Sequence, residues 1–352
     1  MISLQKLCVY FLAFPCLFLA GCGKGEKKEQ NQKDIALWKQ YYSKAQAGDA
    51  AAQYELGVCY EEGKGTPEND KEAVKWYRLA AEKGYAKAQY NLGVCYELGN
   101  GIPEDVEEAV KWYRLAAEKR NAPAQTRLGR CYYKGLGVKK DKVIAIRYFQ
   151  LAAKQNEPWA QCVLGSCYRD GIVVRKDITS AIQYFRKSAL QGNAVAQFCL
   201  GGIYVSGDDG VKKDYSKAVK YFRQAALQGH ASAQNGLGVF YANGFGVKKD
   251  LNEAIKWYRE AARQGDALAQ HNLGVIYMFG QGVKQDFKKA AEYFQKAAVQ
   301  GDPVARYNLG VSYFMGAGVK KDLQKAKYWL EKSAEQGYVK AKDYLKKINI
   351  KP

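Results

Sequence analysis

Histidine is nearly absent from this sequence, with only His230 and His271 in 352 residues. Because histidine changes charge near neutral pH and is a common zinc ligand, its scarcity argues against a histidine-based active site or a zinc centre. Proline is also scarce, with seven residues, so long helices are permitted. The sequence contains no C-x-x-C pair, no G-x-S-x-G motif, and no S-x-x-K accompanied by S-D-N and K-T-G. We therefore expect no catalytic residues, no metal and no cofactor.

The sequence also lacks an apolar run long enough to span a bilayer. Its apolar run from Leu7 to Leu19 has 13 residues and ends in Leu19-Ala20-Gly21-Cys22. This order resembles the bacterial lipobox, which implies a lipoprotein signal peptide at residues 1–21 and an N-terminal lipid anchor on Cys22. An ordinary secretory signal with a chance cysteine is the alternative. Residues 22–33 are charged and polar, and they predict a flexible tether.

Charge is unevenly distributed along the chain. Residues 34–119 contain 11 Lys and Arg against 15 Asp and Glu, a net charge of −4, whereas residues 120–352 contain 39 against 18, a net charge of +21. The basic part favours an acidic partner, an anionic glycan or an anionic membrane surface. A merely soluble, lysine-rich surface explains the charge equally well. Because the lysines recur in loops such as Gly246-Val247-Lys248-Lys249-Asp250, we do not expect nucleic-acid binding.

Glutamine recurs at a nearly constant interval. Each step is 36 residues except one of 37, and Arg306 and Lys342 continue the series. Its members are Gln53, Gln89, Gln125, Gln161, Gln197, Gln234 and Gln270. A fixed period of this length is the signature of a repeat architecture. It predicts eight full repeats and half of a ninth.

Each repeat is predicted to contain two helices, which we name helix A and helix B. In the first repeat, Leu56 and Tyr60 lie on one face of helix A, which ends at Gly63. Asn69 caps helix B, and an aspartate stands at that position in each later repeat. Neither helix buries its apolar stripe alone, so neighbouring repeats must stack into one continuous core.

A glycine recurs in the middle of helix A, although it costs about 1 kcal/mol of helix propensity. The set is Gly57, Gly93, Gly129, Gly165, Gly201, Gly238, Gly274 and Gly310. We expect the large side chain of helix B to lie over the missing side chain, and Gly165→Leu to disrupt the stack. The eight repeats occupy residues 48–337. Residues 34–47 and 338–352 predict N-terminal and C-terminal capping helices.

The consensus A-x-A-Q-x-x-L-G-x-x-Y-x-x-G-x-G-V-x-x-D resembles the Sel-one-like repeats, a subclass of the tetratricopeptide superfamily, over about residues 48–342. The resemblance implies an all-α fold, a right-handed α-solenoid of stacked helix pairs. Members of the family are mainly adaptors and scaffolds. Some secreted relatives, which carry a pair of cysteines in each repeat, are described as penicillin-binding or β-lactamase-like.

This chain departs from those relatives because one cysteine position, not a pair, recurs. That position holds Cys59, Cys95, Cys131 and Cys167, whereas Cys162 and Cys199 lie elsewhere in helix A. Equivalent residues of stacked repeats stand about a helix spacing apart, roughly 8–10 Å, and a disulfide needs Cα atoms within about 7 Å. We therefore interpret the recurring cysteines as small buried apolar side chains rather than a ladder of disulfides.

The same resemblance implies that helix A lines a concave groove. Aromatic side chains and arginines are typical binding anchors, and an arginine can hold a carboxylate or phosphate through two hydrogen bonds. The predicted partner-binding residues are Tyr54, Tyr90, Arg130, Tyr133, Trp159, Arg169, Phe198, His271, Met278, Tyr307 and Phe314. The alternative is that these side chains only pack between repeats.

The sequence leaves three candidate functions. The leading hypothesis is a non-enzymatic scaffold that binds a protein or peptide, acidic in character, in the groove. A lipid anchor would hold it at the outer membrane, on the periplasmic or surface face. The second is binding of cell-wall glycan or another anionic envelope polymer. The third, a penicillin-recognising hydrolase, is disfavoured because its motifs are absent.

Overall fold

The computed structural model describes residues 24–207 and 210–347, with side chains described from residue 29 onward. The predicted signal peptide and the predicted lipidation at Cys22 lie outside these residues. The chain divides into two compact units, Met1–Asp141 and Lys142–Pro352, which we call the N-terminal and C-terminal units. The described residues form helices, turns and loops, without strands.

Eighteen helices account for the described ranges. The N-terminal unit contains α1 (Lys24–Gln46), α2 (Ala50–Glu62), α3 (Asp70–Glu82), α4 (Ala86–Leu98), α5 (Val106–Glu118) and α6 (Ala122–Lys134). The C-terminal unit contains α7 (Lys142–Lys154), α8 (Pro158–Asp170), α9 (Ile178–Leu190), α10 (Ala194–Ser206), α11 (Tyr215–Leu227), α12 (Ala231–Asn243), α13 (Leu251–Arg263), α14 (Ala267–Phe279), α15 (Phe287–Val299), α16 (Pro303–Met315), α17 (Leu323–Glu335) and α18 (Val339–Lys347). Of these, none is long and apolar enough to cross a membrane.

Within each unit, helix A packs against helix B of its own repeat, as in α2 with α3 and α8 with α9, and helix B packs against the next helix A. This is the predicted all-helical stack of helix pairs. The predicted C-terminal capping helix corresponds to α18. At the other end, α1 begins at Lys24, ten residues before the predicted capping helix.

The segment predicted to be a flexible tether is therefore helical from Lys24, and that prediction is wrong there. The residues that suggested flexibility are also the physical reason for the helix. Lys, Glu and Gln are poor at burying apolar surface but have good helix propensity. Lys33 and Glu29, one helical turn apart, also form an ion pair at 2.8 Å.

The predicted ends of the helices are confirmed. The C-cap glycine of α2, Gly63, has φ 65°, in the left-handed region that a glycine adopts without a steric penalty. Asn69 accepts a hydrogen bond from the backbone N–H of Glu72 at the start of α3. The same kind of contact is made in later repeats by Asp105, Asp177, Asp214, Asp250, Asp286 and Asp322.

The glycine inside helix A lies directly against the large side chain of helix B, as predicted. A Cβ added to Gly57 would lie 2.6 Å from the ring of Tyr77, and one added to Gly165 would lie 2.7 Å from the ring of Phe185. Real Cβ atoms do not approach other atoms this closely, so only glycine fits without a shift. The lost helix propensity is offset by the close approach of the two helices.

Candidate partner-binding face

In each unit, helix A of successive repeats forms a surface that carries the predicted binding residues of that unit, and we call this surface the helix-A face. In the N-terminal unit it comprises α2, α4 and α6, and in the C-terminal unit α8, α10, α12, α14 and α16. In that unit, hydrogen bonds link one helix A to the next. Asn272 donates to Asn235 at 3.0 Å, and the side-chain nitrogens of Asn308 and His271 lie 3.2 Å apart.

In the N-terminal unit, Tyr54 and Tyr90 are half-buried and pack on aromatic rings of their own repeats. Tyr54 lies with its ring centroid 5.9 Å from that of Tyr77 and 5.4 Å from that of Tyr85. Tyr90 lies 6.0 Å from Tyr113. Burial raises the pKa of Tyr54 above its usual value. Both tyrosines therefore combine a packed ring with some exposed surface, which is compatible with binding and with packing.

Arg130 is already paired within the protein. One of its terminal nitrogens contacts Glu97, which also lies 3.3 Å from Arg127 Nη1 and accepts a hydrogen bond from the Tyr113 hydroxyl at 2.6 Å. The Arg130 Nε atom is buried and makes no hydrogen bond. Two arginines against one carboxylate leave a positive site with an unused donor, so a partner carboxylate would have to share these arginines with Glu97 or displace it.

The sequence interpretation missed this cluster because Arg127 lies one position away from the residues assigned to the groove. Its signal was nevertheless present. Arg127 and Arg130 are three positions apart on α6 and therefore share a face. On the same helix, Tyr133 is half-buried. It stays a predicted binding residue.

Arg169 of α8 is also paired, in this case with the next residue in the chain. Its Nε and Nη2 atoms donate to the two carboxylate oxygens of Asp170 at 2.7 and 2.9 Å. Its Nη1 atom lies 3.7 Å from Cys199 Sγ on α10. The hydrogen bonds to Asp170 raise the pKa of Arg169. Trp159, at the start of the same helix, is 36% exposed.

Two further predicted residues of the C-terminal unit are held by aromatic contacts. Phe198 stacks on the ring of His230 at 4.8 Å and lies 5.6 Å from Phe222. His271 lies 5.9 Å from Phe294, and burial lowers its pKa. Burial also lowers the pKa of His230. Both histidines are therefore predominantly neutral at neutral pH, and His271 links repeats rather than presenting a charge.

The most exposed apolar part of the helix-A face lies on α14 and α16. Phe279 and Met315, at equivalent positions of neighbouring repeats, are 64% and 66% exposed. They directly follow Met278 and Phe314, which were predicted and are half-buried. Phe279 and Met315 were not predicted, because their position, which holds Glu62 in the first repeat, was not among those assigned to the groove. Two large apolar residues in successive repeats were the available signal.

Tyr307 and Phe314 are supported by the last helix, α18. Tyr344 lies 5.9 Å from the ring of Tyr307 and 5.8 Å from that of Phe314. The ammonium group of Lys321 lies 5.8 Å from the Phe314 ring, within the range of a cation–π contact. This end of the helix-A face thus presents apolar and aromatic groups beside a cation. Across the described residues, no group of three or more His, Cys, Asp or Glu is arranged to hold a metal ion.

Comparison with known proteins defines the class. The model of the Sel1 repeat matches eight times, at residues 50–85, 86–121, 122–157, 160–193, 194–230, 231–266, 267–302 and 303–338. The chain therefore belongs to the Sel1-repeat family. Proteins built from such repeats typically act as protein-interaction scaffolds and are generally non-catalytic.

Two solved structures are similar over most of this chain. The protein c5321, described as a protective antigen present in uropathogenic Escherichia coli strains, is 38% identical with a TM-score of 0.73, and the match covers 92% of this chain and 72% of that one. A Sel1 repeat protein from Oxalobacter formigenes is 33% identical with a TM-score of 0.62, covering 88% and 90%. No curated protein matches the chain significantly.

Proposed function

We propose that this chain is a non-enzymatic scaffold of the bacterial cell envelope that binds an acidic protein or peptide on its helix-A face. The observation that carries the proposal is the exposure of Phe279 and Met315 at equivalent positions of successive repeats, each directly after a predicted binding residue. Leaving large apolar side chains in water is unfavourable by about 25 cal/mol per Å². These exposed apolar side chains, together with the Lys321 ammonium group near Phe314, favour a partner with apolar side chains next to carboxylates.

Attachment to the envelope rests on the lipobox-like sequence that ends at Cys22. The description of the similar E. coli protein as a protective antigen is compatible with a location that antibodies reach. Metabolic labelling with a fatty-acid analogue tests the anchor directly. Label should be incorporated into the wild type and lost from Cys22→Ala, and equal labelling of both proteins would contradict lipidation.

The binding proposal is tested by affinity capture from envelope extract with the full chain. The test variant replaces Phe279 and Met315 with serine. The matched control replaces Leu190 and Leu227 with serine, because these helix-B residues are 88% and 70% exposed but lie outside the helix-A face. A protein retained by the wild type and the control, and lost from the test variant, would support the proposal. Equal retention by all three would contradict it.

Arg130 and Arg169 remain predicted anchors for the partner, but both are already paired within the protein. Each must share its internal carboxylate partner, Glu97 or Asp170, with a carboxylate of the bound protein or exchange it for that carboxylate. Arg169→Gln should therefore weaken capture of an acidic partner by about tenfold, corresponding to roughly 1.4 kcal/mol for a charge-assisted pair. Unchanged capture would assign Arg169 to a structural role.

A second candidate function is binding of an anionic envelope polymer. The net charge of +21 over residues 120–352 favours it. Binding to isolated cell walls should then fall steeply between 50 and 300 mM salt, because screening shortens the range of charge interactions. Replacing Phe279 and Met315 should have little effect on it. This dependence distinguishes the polymer from a protein partner held by apolar contacts.

A further inference from the structure

Cys162 on α8 and Cys199 on α10 occupy positions that are paired elsewhere in the C-terminal unit. They are 37 residues apart, as are Asn235 and Asn272, whose side chains form a hydrogen bond of 3.0 Å. His271 and Asn308, again 37 apart, approach to 3.2 Å. In each pair, the first residue directly follows the recurring glutamine of its repeat. The repeat register thus places Cys162 and Cys199 opposite each other on neighbouring A helices.

Contacts around Cys199 confirm the direction of its side chain. Arg169 on α8 donates to Cys199 Sγ at 3.7 Å, so this sulfur faces α8. Cys199 packs against the apolar cluster that contains Cys162. Both cysteines therefore belong to the same contact region of the protein.

The two helices are also direct neighbours. Cα atoms of α8 and α10 lie within 8 Å of one another. A disulfide joins residues whose Cα atoms are usually about 4.4–6.8 Å apart. Unlike the recurring cysteines, Cys162 and Cys199 are not equivalent residues, and the offset of one position brings them toward each other.

The two cysteines differ in access. Cys162 is 3% exposed, whereas Cys199 is half-buried and lies beside a guanidinium group. Cysteines next to a cation react more readily because the thiolate is the nucleophile in disulfide exchange. Cys199 is thus suited to react first and Cys162 to react second.

We propose that Cys162 and Cys199 form a reversible disulfide that joins helix A of the fourth repeat to helix A of the fifth. The oxidant is a small-molecule disulfide such as oxidised glutathione. The Cys199 thiolate attacks one glutathione sulfur, the glutathione S–S bond breaks, and a mixed disulfide forms. The Cys162 thiolate then attacks Cys199 Sγ and releases the second glutathione. Two cysteine thiols lose two electrons and two protons, and one glutathione disulfide becomes two thiols.

The recurring cysteines provide internal controls. Cys59, Cys95 and Cys131 are buried at equivalent positions of successive repeats. Burial raises the pKa of Cys59 and Cys131 and raises that of Cys95 to about 12. These thiols should stay reduced under conditions that oxidise the proposed pair.

The experiment treats the full chain with excess oxidised glutathione, blocks remaining thiols, digests without reduction and identifies linked peptides by mass spectrometry. We expect a peptide joining Cys162 to Cys199, lighter by two hydrogens than its reduced parts and abolished by Cys162→Ser or Cys199→Ser. Cys131→Ser should leave it unchanged. Oxidation should raise the Tm by roughly 5 °C or more, and a dithiol reductant should reverse the rise.

A stable glutathione adduct on Cys199 without the linked peptide would overturn the proposal, because it would show that Cys162 does not reach the adduct. An unmodified pair in the folded protein would overturn it as well. Formation of the linked peptide only after unfolding would show that the native geometry does not bring the sulfurs together.

Discussion

The first two repeats and the repeats of the C-terminal unit share one backbone plan but satisfy their buried polar groups differently. In the C-terminal unit, the recurring glutamine is bridged by a second glutamine at the end of helix B, as when Gln191 donates to Gln161 at 2.9 Å. The other such pairs are Gln228 with Gln197, Gln264 with Gln234 and Gln300 with Gln270.

In the first two repeats, a lysine replaces the bridging glutamine. Lys83 and Lys119 donate instead to the backbone carbonyls of Gly48 and Gly84. The side-chain carbonyls of Gln53 and Gln89 remain buried without a hydrogen-bond partner. A buried acceptor without a donor costs about 1–3 kcal/mol.

A second difference concerns the residue that faces helix B near the end of helix A. Glu61 in the first repeat accepts a hydrogen bond from Tyr77 at 2.5 Å, and burial raises the pKa of this carboxyl above its usual value. In the fifth repeat the same two positions hold Val205 and Phe222. The fold therefore requires a side chain of suitable shape at each of these positions, whereas the polar contacts differ from repeat to repeat. The first two repeats thus contain more buried or half-buried polar groups in unfavourable surroundings.

The largest expected effect tests what the two regions share. Gly165→Leu places a side chain where the Phe185 ring lies 2.7 Å from the added Cβ. Because neither helix can move without breaking contacts with its neighbours, we expect a loss of about 3 kcal/mol or more in the free energy of unfolding. Gly202→Leu is the matched control, since nothing lies within 4 Å of its added Cβ. Thermal denaturation of both variants measures this, and an unchanged Tm for Gly165→Leu would contradict the packing explanation.

The next effect tests the half-buried carboxylate of Glu61 in the first repeat. Tyr77→Phe removes the hydroxyl that donates to Glu61, and we expect a loss of about 2 kcal/mol in urea denaturation. Tyr113→Phe should cost less, because Arg127 and Arg130 still contact Glu97. Glu61→Gln introduced into Tyr77→Phe should recover part of the loss by removing the half-buried charge. Equal losses for the two tyrosine variants would count against this interpretation.

Much of the fold could be predicted from the sequence, because each structural position occurs once in every repeat and its residue preference can be read several times. The 36-residue period predicted the helix pairs, and the invariant glycine predicted the close contact with helix B. Partners between repeats were less accessible. Glu97 pairs with Arg127 and Arg130 of the following repeat, and such pairs depend on how helices are rotated and offset when they stack. Arg169 was placed correctly on helix A, but its bond to the adjacent Asp170 required side-chain coordinates.

A smaller effect concerns pH and is specific to the C-terminal unit. His230 caps α12 by accepting from the backbone N–H of Ala233 at 3.2 Å, and burial lowers its pKa below the ordinary value of 6.5. Because the folded-state pKa is depressed, the neutral cap contributes fully above pH 6.5, and its contribution is lost as the pH falls through the folded-state pKa. We expect acidification to cost about 1 kcal/mol at this cap.

His230→Asn should keep the cap and remove that pH dependence, as Asn193 caps the preceding helix A without titrating. His271 is unchanged in both proteins and gives the same background. The Tm difference between pH 7.5 and pH 5.5 measures the effect. An equal difference in the wild type and His230→Asn would show that the cap does not titrate in this range.

The smallest expected effect concerns the position at the end of helix B, which holds a lysine in the first two repeats and a glutamine in the C-terminal unit. Lys83→Gln gives the first repeat the amide that bridges later repeats, and it provides a donor for the unpaired Gln53 carbonyl. The gain should be roughly 0.5–1 kcal/mol, since the bond to Gly48 is lost at the same time. Gln191→Lys makes the reverse change and should destabilise by a similar amount, because it removes the donor to Gln161. Thermal denaturation of both variants gives opposite shifts if the bridge matters. Shifts in the same direction would mean that the lysine contact to the backbone carbonyl stabilises the fold as much as the glutamine–glutamine hydrogen bond does.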